Sequence, residues 1–468
     1  MLARKIRDFP ARAWGSIGRR RERRRFGSRL ALGLLLCVGQ FPSPASASEK
    51  RKLPDYDGRG GKPTTPGDVL LWVPRVALFP LYVTSEFVVR RPLGFLISSA
   101  ERAKLPALLY DFFAFGPDHS AGIVPVAFLD FGFQPSVGIY SFWDDAGFKG
   151  HALRLHASTG GKDWLAGSLT ERFALGKTQH LTLNAAAIRR PDYAFYGIGP
   201  SSEEDDLSRY GADRVEARMV VDSQLFGLSR IEGGFGYRSM DFAPGNFGDA
   251  PNLEERDAEG LFPLPAGYER GYRAGFSRLK LSLDTRGVDA TSRSGARLEL
   301  EAEQGSDLRR ATQPQSWLRY SAAVGGFLDL GDSGRVLSLS VSTQFADPLG
   351  SGPVPFTELP TLGGPGLMPG FRDGRLRDRS ATAATLRYAW PIWMWLDGSL
   401  QAAVGNVFGR RLAGFDPSLL RFSAAVGIES HGSADSILQL LFGVGSETFE
   451  SGGRVDSLRL TVGARGGL

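Results

Sequence analysis

The chain has 468 residues, 42% of them hydrophobic, with 60 glycines and a formal net charge of +6. The positive charge lies at the front, because residues 1–47 hold eleven Lys/Arg and two Asp/Glu, which leaves the remainder slightly acidic. A remainder without a basic stripe argues against nucleic acid as a partner. The single cysteine, Cys37, excludes disulfides and cysteine-bearing metal sites in a chain cleaved after it.

The first 118 residues are predicted to direct export and to precede the folded domain. Residues 1–47 combine a basic run, the short apolar run "LALGLLLCV" and a small-residue site, which predicts a secretory signal peptide cleaved near Ala47. The apolar run is too short to span a bilayer. Residues 48–118 predict a periplasmic linker followed by an apolar segment that prolines and charges interrupt. This segment fits one or two interfacial amphipathic helices, and a small packed subdomain fits it equally well.

From residue 119 to residue 468 the sequence alternates between apolar and polar residues. Stretches such as "ARLELEAE", "VLSLSVSTQF" and "DSLRLTVGAR" place apolar side chains on one face and polar side chains on the other. This period of two is that of β-strands with one apolar and one hydrated face. About sixteen strands are predicted, starting near residues 122, 134, 149, 163, 178, 209, 227, 270, 294, 316, 335, 380, 396, 420, 435 and 455.

The connections between these strands alternate in length. Turns such as "DDAGFKG", "LGKTQ", "SQLFG", "LGDSG" and "HGSA" are short, whereas most of the intervening connections are long. Short turns at one end and long loops at the other are typical of an outer-membrane barrel, with periplasmic turns and extracellular loops. The fold class is therefore predicted as all-β, a transmembrane antiparallel barrel that closes because lipid does not tolerate open strand edges.

Tryptophans at the predicted strand ends support a membrane barrel, since aromatic girdles mark both interfaces of such proteins. Two fall at the long-loop end and four at the short-turn end. They are Trp164 and Trp317, and Trp143, Trp390, Trp393 and Trp395.

The longest connection, residues 347–379, contains the unusual stretch "GGPGLMPGFRDGRLRDRS". Its glycines permit a tight path, and its arginines are able to bridge carboxylates on a charged lumen wall. One interpretation folds this loop back into the lumen, and the other leaves it solvated outside the barrel.

The segment "LGGPGLMPGFRDGRLRDRSATAATLRYAWPIWMWLDG" and the "SLQAAVGNVFG" that follows resemble the BamA/TamA outer-membrane assembly superfamily. In that family an Arg-Gly-Phe/Tyr motif on the sixth extracellular loop enters the lumen, and an Asp-x-Gly motif on the strand after next is its partner. Here the two motifs lack both charged residues, so we expect neighbouring loop charges to anchor the loop instead. The lumen-loop motif is predicted as Met368, Pro369, Gly370, Phe371, Arg372, Asp373, Arg375 and Asp378, with Arg372, Asp373, Arg375 and Asp378 as anchors. The wall motif is predicted as Ala403 and Gly405.

The resemblance implies a non-enzymatic barrel in the outer membrane of a Gram-negative bacterium. It would assist outer-membrane protein insertion or polypeptide translocation, as a short member without POTRA domains. Outer-membrane lipid, lipopolysaccharide and unfolded outer-membrane protein clients are the implied partners, and neither a cofactor nor a metal is expected.

Two alternatives remain from the residues themselves. The barrel is either a passive or plugged pore without a client, or a lipid hydrolase that uses His156 and Ser158. Histidine and serine at this spacing share one strand face, where the histidine would act as general base. The alternation, however, directs both side chains into the lumen and away from lipid.

Overall fold

The computed structural model describes residues 112–466, apart from 288–292, 310–314, 331–333, 365, 394–395 and 431–435. The predicted signal peptide, nearly all of the predicted linker and the predicted N-terminal helical segment lie outside the described residues, and the boundaries at residues 47 and 118 stay predictions. Among the residues described, no helix combines the length and the apolar character needed to cross a bilayer.

Sixteen antiparallel strands form one closed sheet. The first eight are β1 Ala121–Asp130, β2 Ser136–Trp143, β3 His151–Gly161, β4 Trp164–Ala174, β5 Gln179–Phe195, β6 Ser208–Gln224, β7 Arg230–Pro244 and β8 Tyr272–Asp284. The remaining eight are β9 Gly295–Asp307, β10 Ser316–Asp329, β11 Val336–Pro348, β12 Ser380–Trp393, β13 Leu396–Phe408, β14 Arg421–Ser430, β15 Ser436–Thr448 and β16 Val455–Gly466. The predicted transmembrane barrel of about sixteen strands is confirmed.

Each strand pairs with its neighbours in the chain, and the period-two pattern sets which side chains face outward. On β11, Leu339 and Val341 are 58% and 45% exposed on the outer face, whereas Ser342, which follows Val341, is buried inside. A shift by one residue would exchange the two faces, so the apolar outer face fixes the register. The outer surface is therefore apolar where it would meet lipid, whereas polar side chains predominate at the inward positions of this strand.

Two tryptophans differ from the predicted girdle. Trp317 is fully buried and packs edge-to-face on Tyr272 inside the lumen, with ring centroids 5.7 Å apart. Trp164 is 5% exposed and lies under the guanidinium of Arg190. At the long-loop end, inward strand positions pack against the connections instead of facing open water, and this inner packing takes up both indole rings. Trp143 is half exposed, as a girdle residue would be, and the side chains of Trp393 and Trp395 lie outside the described set.

An apolar core fills the lumen at the long-loop end. It joins inward residues of β6, β7, β8 and β10 to residues of the long connections. Its largest members are Phe195, Tyr210, Leu253, Tyr268, Tyr272, Trp317 and Phe356. One connection contributes the single described α-helix, α1 Leu253–Ala258, whose start is capped reciprocally by Asn252 and Glu255. The long connections thus form a packed interior instead of loose loops.

The barrel closes where β16 meets β1, and this seam is short. Among the described residues, only Phe128, Leu129 and Asp130 form strand pairs with β16, opposite Gly463, Val462 and Thr461, and just beyond them the Phe131 amide donates to the Leu460 carbonyl. On its other side β1 pairs with β2 along most of its length, from Ala121 to Phe128. A two-residue strand, Ala114–Phe115, covers the start of β1 at Ala121 and Gly122.

Candidate functional site

The connection between β11 and β12, here called the lumen loop (residues 349–379), enters the barrel. It contains a 3-10 turn at Phe356–Glu358, and a small hairpin pairs Thr361–Leu362 with Leu376–Arg377. At the base of the tip the Gly364 amide donates to the Phe371 carbonyl. The interpretation that folds this loop into the lumen is confirmed by its contacts with inward residues of several strands.

The tip of the loop is seated on the last three strands through Gly370. Its amide donates to Ser423 Oγ of β14 at 2.8 Å, and its carbonyl accepts from Ser457 Oγ of β16 at 2.8 Å. Both serines are buried. A Cβ at Gly370 would lie 1.9 Å from the Val444 carbonyl oxygen of β15, so only glycine fits. We call this contact the Gly370 socket.

Beside the socket, apolar side chains pack where the superfamily's loop motif has an arginine and its wall motif an aspartate. Met368 and Phe371 are fully buried, and they belong to one cluster with Ala403, which is 2% exposed. The two motif positions that lack their charges are Pro369 and Ala403, one on the tip and one on the wall that the tip covers. At Gly405 a Cβ would lie 2.4 Å from a β12 carbonyl oxygen, so this wall position also requires glycine. A lone buried charge here would cost several kcal/mol, and neither charge is present.

The predicted anchors Arg372 and Arg375 both bind one carboxylate. Arg372 Nη1 lies 2.8 Å from Glu204 Oε1, and Arg375 Nε lies 3.0 Å from Glu204 Oε2. Arg375 also donates to Ser202 and stacks 4.4 Å over the ring of Tyr196. Burial raises the pKa of the Tyr196 phenol, which accepts from Arg372 at 2.7 Å. Glu204, the shared partner of Arg372 and Arg375, lies in the β5–β6 connection rather than on a strand. In the sequence, the acidic run "SEEDD" was the signal that indicated it.

The two predicted acidic anchors are placed differently. Asp378 accepts the backbone amide of Arg379 at 2.6 Å, and burial raises the pKa of its carboxyl. Asp373 lines a lumen cavity of about 390 Å³ together with Arg190 and Arg377. Asp378 therefore shapes the end of the loop, and Asp373 faces the interior space beneath it.

A third attachment was missed from the sequence, and its centre is Glu358. This side chain is buried on the lumen loop and accepts from Arg238 Nη1 of β7 at 2.9 Å, from Arg319 Nη1 of β10 at 3.1 Å, and from Tyr272 Oη of β8 at 2.5 Å. The polarity is reversed with respect to the superfamily motif, since the loop supplies the carboxylate and the wall the arginines. The only signal was one acid inside the apolar stretch "PVPFTELPTL".

The wall around Glu358 is prepared for this charge. Arg238 also binds Glu216 at 2.8 Å and Glu303 at 3.3 Å, so its guanidinium is shared among three carboxylates. Burial by itself raises the pKa of Glu358, but the charges of Arg238 and Arg319 outweigh it and hold the pKa below its ordinary value of 4.5. The carboxylate is thus ionised and bound at neutral pH.

A separate ion pair bridges the seam on its lumen side. Arg459 of β16 binds Asp130 of β1 in a fork, with Nε–Oδ1 at 2.9 Å and Nη2–Oδ2 at 2.7 Å. Thr461 Oγ1 donates to the same carboxylate at 3.1 Å. Arg459 is 1% exposed, so this fork supplements the three backbone pairs that hold the two end strands together.

The predicted hydrolase pair shows no activated geometry. His156 and Ser158 face inward, and Leu155 beside them is 46% exposed outside. Neither His156 Nδ1 nor Ser158 Oγ has a hydrogen-bond partner, so the histidine does not contact the serine as a general base would. Within the described part of the chain, no group of acidic, histidine or cysteine side chains is arranged to hold a metal ion.

Comparison with known proteins identifies the family. The Omp85 superfamily domain matches residues 149–440. BamA from Haemophilus ducreyi lacking POTRA domains 1–3 superimposes with a TM-score of 0.52 at 14% identity, covering 74% of this chain and 70% of that one. CdiB from Acinetobacter baumannii gives a TM-score of 0.46 at 10% identity, over 74% of this chain and 59% of that one. CdiB from Escherichia coli gives 0.46 at 12% identity, over 75% and 64%.

No curated protein sequence matches this chain. The structural likenesses, at such low identity, show the fold alone. The superfamily match, however, spans more than half of the sequence and agrees with the closed sixteen-strand barrel and its inserted loop. The chain therefore belongs to the Omp85 superfamily.

Proposed function

We propose that this barrel assists the insertion of outer-membrane proteins into the outer membrane of a Gram-negative bacterium. The Omp85 fold implies an outer-membrane location, and the superfamily is not an enzyme family. The proposed clients are unfolded outer-membrane proteins, and the surrounding partners are outer-membrane lipid and lipopolysaccharide.

The observation that carries the proposal is the short seam. Among the described residues, the outer edge of β1 carries no strand pairing between Gly122, which the two-residue strand Ala114–Phe115 covers, and Phe128, where the seam begins. An unpaired strand edge is a template for another strand, and lipid strongly favours satisfying it. Pro125 lies within this edge, where a missing amide is tolerated because no neighbouring strand needs it. An incoming client strand would find backbone groups there to pair with.

The lumen loop favours this function over a passive pore. It is attached to β7, β8 and β10 through Glu358 and to β14, β15 and β16 through the Gly370 socket. A segment held on both walls obstructs the central path for a solute.

The test is a seam that is locked reversibly. Leu129 and Val462 lie directly opposite each other, and Cys37 is the only cysteine of the sequence, so Leu129→Cys/Val462→Cys places a disulfide across the seam. The full chain in liposomes should speed the folding of an urea-unfolded outer-membrane protein, read as heat-modifiable gel mobility. The oxidised variant should lose this activity, and reduction should restore it.

A locked barrel that accelerates folding as well as the reduced one would contradict the proposal. So would steady open conductance of the wild-type barrel in planar bilayers, which indicates a passive pore. The matched control is Leu129→Cys alone, which leaves the seam free under both redox conditions.

A further inference from the structure

The outer face of the barrel carries a concentrated positive charge at the long-loop end. Three arginines surround one carboxylate, Asp347 at the end of β11. Arg410 Nε lies 2.8 Å from it, Arg411 Nε 3.0 Å and Arg379 Nη2 3.5 Å. The carboxylate is 6% exposed, whereas the side chains of Arg410 and Arg411 are 52% and 63% exposed. We call these four residues the arginine patch, whose excess charge is positive and accessible.

The patch faces outward, as the alternation of β11 shows. Ala346 is 1% exposed in the apolar core of the lumen, so Asp347 next to it points to the outer face. One rung toward the bilayer, Phe345 stacks on Tyr320 of β10 with ring centroids 4.9 Å apart. Tyr320 also donates to Asp347 at 3.3 Å. Outward aromatic rings mark the membrane interface, so the patch lies at headgroup level.

The backbone that carries the patch is strained. Arg411 and Leu412 have φ of 52° and 63°, a region that residues other than glycine rarely adopt. Such strain persists where the surroundings impose it and often marks a functional position. Here it turns Arg410 and Arg411 back onto Asp347 through their Nε atoms. A guanidinium has five N–H donors, so both side chains keep donors for a ligand.

Two other outward arginines at this end have their charge balanced. Arg189 is paired one-to-one with Asp213 through a fork of 2.8 and 2.7 Å. Arg273 is paired in the same way with Asp241 at 2.9 and 2.7 Å. These pairs leave little net charge, so the arginine patch differs from them in carrying three cations around one anion.

We propose that the arginine patch binds a phosphate group of lipid A, the phosphorylated glycolipid of the outer leaflet. Arginine forks suit phosphate oxygens, and the height of the patch on the barrel is that of the headgroups. Leu349 and Phe415, in the connections that flank the patch, are 51% and 48% exposed and offer apolar surface to a lipid. The site is independent of the seam, and a barrel of any function at this membrane would use it.

The test measures binding of fluorescent bisphosphorylated lipid A to the full chain in detergent micelles. Arg410→Ala/Arg411→Ala should weaken binding on the order of 10- to 30-fold, because each arginine near an anionic lipid surface raises the affinity by roughly three- to fivefold and the two factors multiply. The matched control is Arg273→Ala, which breaks the balanced pair with Asp241 on the outer face at the same end of the barrel. It should change binding by less than about twofold. Lipid A without phosphates should bind wild type and the double variant alike.

Equal losses in the double variant and in the control would overturn the proposal, as would tight binding of dephosphorylated lipid A that the double variant abolishes. Full displacement of lipid A by millimolar inorganic phosphate would assign the patch to free phosphate and overturn the lipid assignment. Heat-modifiable mobility checks the fold of each variant. Arg411→Ala alone, at an exposed position, provides the measurement should the double variant not fold, with a smaller loss expected.

Discussion

Glu358→Ala removes the carboxylate that fixes the lumen loop to the β7–β10 wall. Deleting one partner of a buried ion pair costs about 3–5 kcal/mol, because the other charge stays buried without it. Here Arg238 keeps Glu216 at 2.8 Å, and Arg319 keeps Glu303 at 3.4 Å. These remaining carboxylates reduce the expected cost to about 2–3 kcal/mol. The loop would then leave its docked position roughly 30 to 150 times more often.

The assay is limited trypsin digestion of the barrel in liposomes, with cleavage inside residues 349–379 identified by mass spectrometry. The matched control is Glu301→Ala, which removes an ion-paired lumen carboxylate that is 30% exposed and lies 2.8 Å from Arg278. This control should change cleavage little, since exposed pairs are worth less than about 1 kcal/mol. Identical protection of the loop in Glu358→Ala and wild type would refute the assigned role of Glu358.

Three further outcomes are expected. Gly370→Ala should unseat the loop tip and expose it to the same protease, because its Cβ would lie 1.9 Å from the Val444 carbonyl oxygen, whereas Gly366→Ala meets nothing within 4 Å and should leave protection unchanged. Acid should release the loop: the pKa of Glu358 is depressed below 4.5, so its stabilisation is present above that pH and lost as the pH falls through the folded value, a dependence that Glu358→Gln should lack. Asp130→Ala should weaken the seam and lower the temperature at which heat-modifiable gel mobility is lost; an unchanged temperature would show that the fork adds nothing to closure.

The strand pattern was accessible to sequence analysis because it is local. Alternation of side chains along each strand depends on adjacent residues, so every predicted strand start falls within about three residues of the observed one. The path of the lumen loop also followed from local signals, namely its glycines, its arginines and its family motif. Even the loss of the motif charges at Pro369 and Ala403 was visible in the sequence, and the structure shows apolar packing where they would meet.

The partners of the loop were not accessible, because barrel closure decides them. Glu358 meets Arg238 across 120 residues of chain, and Arg375 meets Glu204 across 171. No periodicity specifies which of many lumen arginines is opposite a given carboxylate. The inward position of Trp317 was not predictable for a related reason. The sequence correctly indicates that Trp317 lies at a strand end, but the apolar core in which its ring packs is formed by several connections that are distant in the sequence.

The double attachment of the lumen loop has a consequence for the order of events as the protein is made. Glu358 is costly to bury until Arg238 and Arg319 are both in place, and the Gly370 socket requires strands from the end of the chain. The loop is therefore expected to dock late, after both walls have formed. A newly synthesised barrel would pass through a stage with a hollow, water-filled centre, and its maturation would be the moment when that centre becomes occupied.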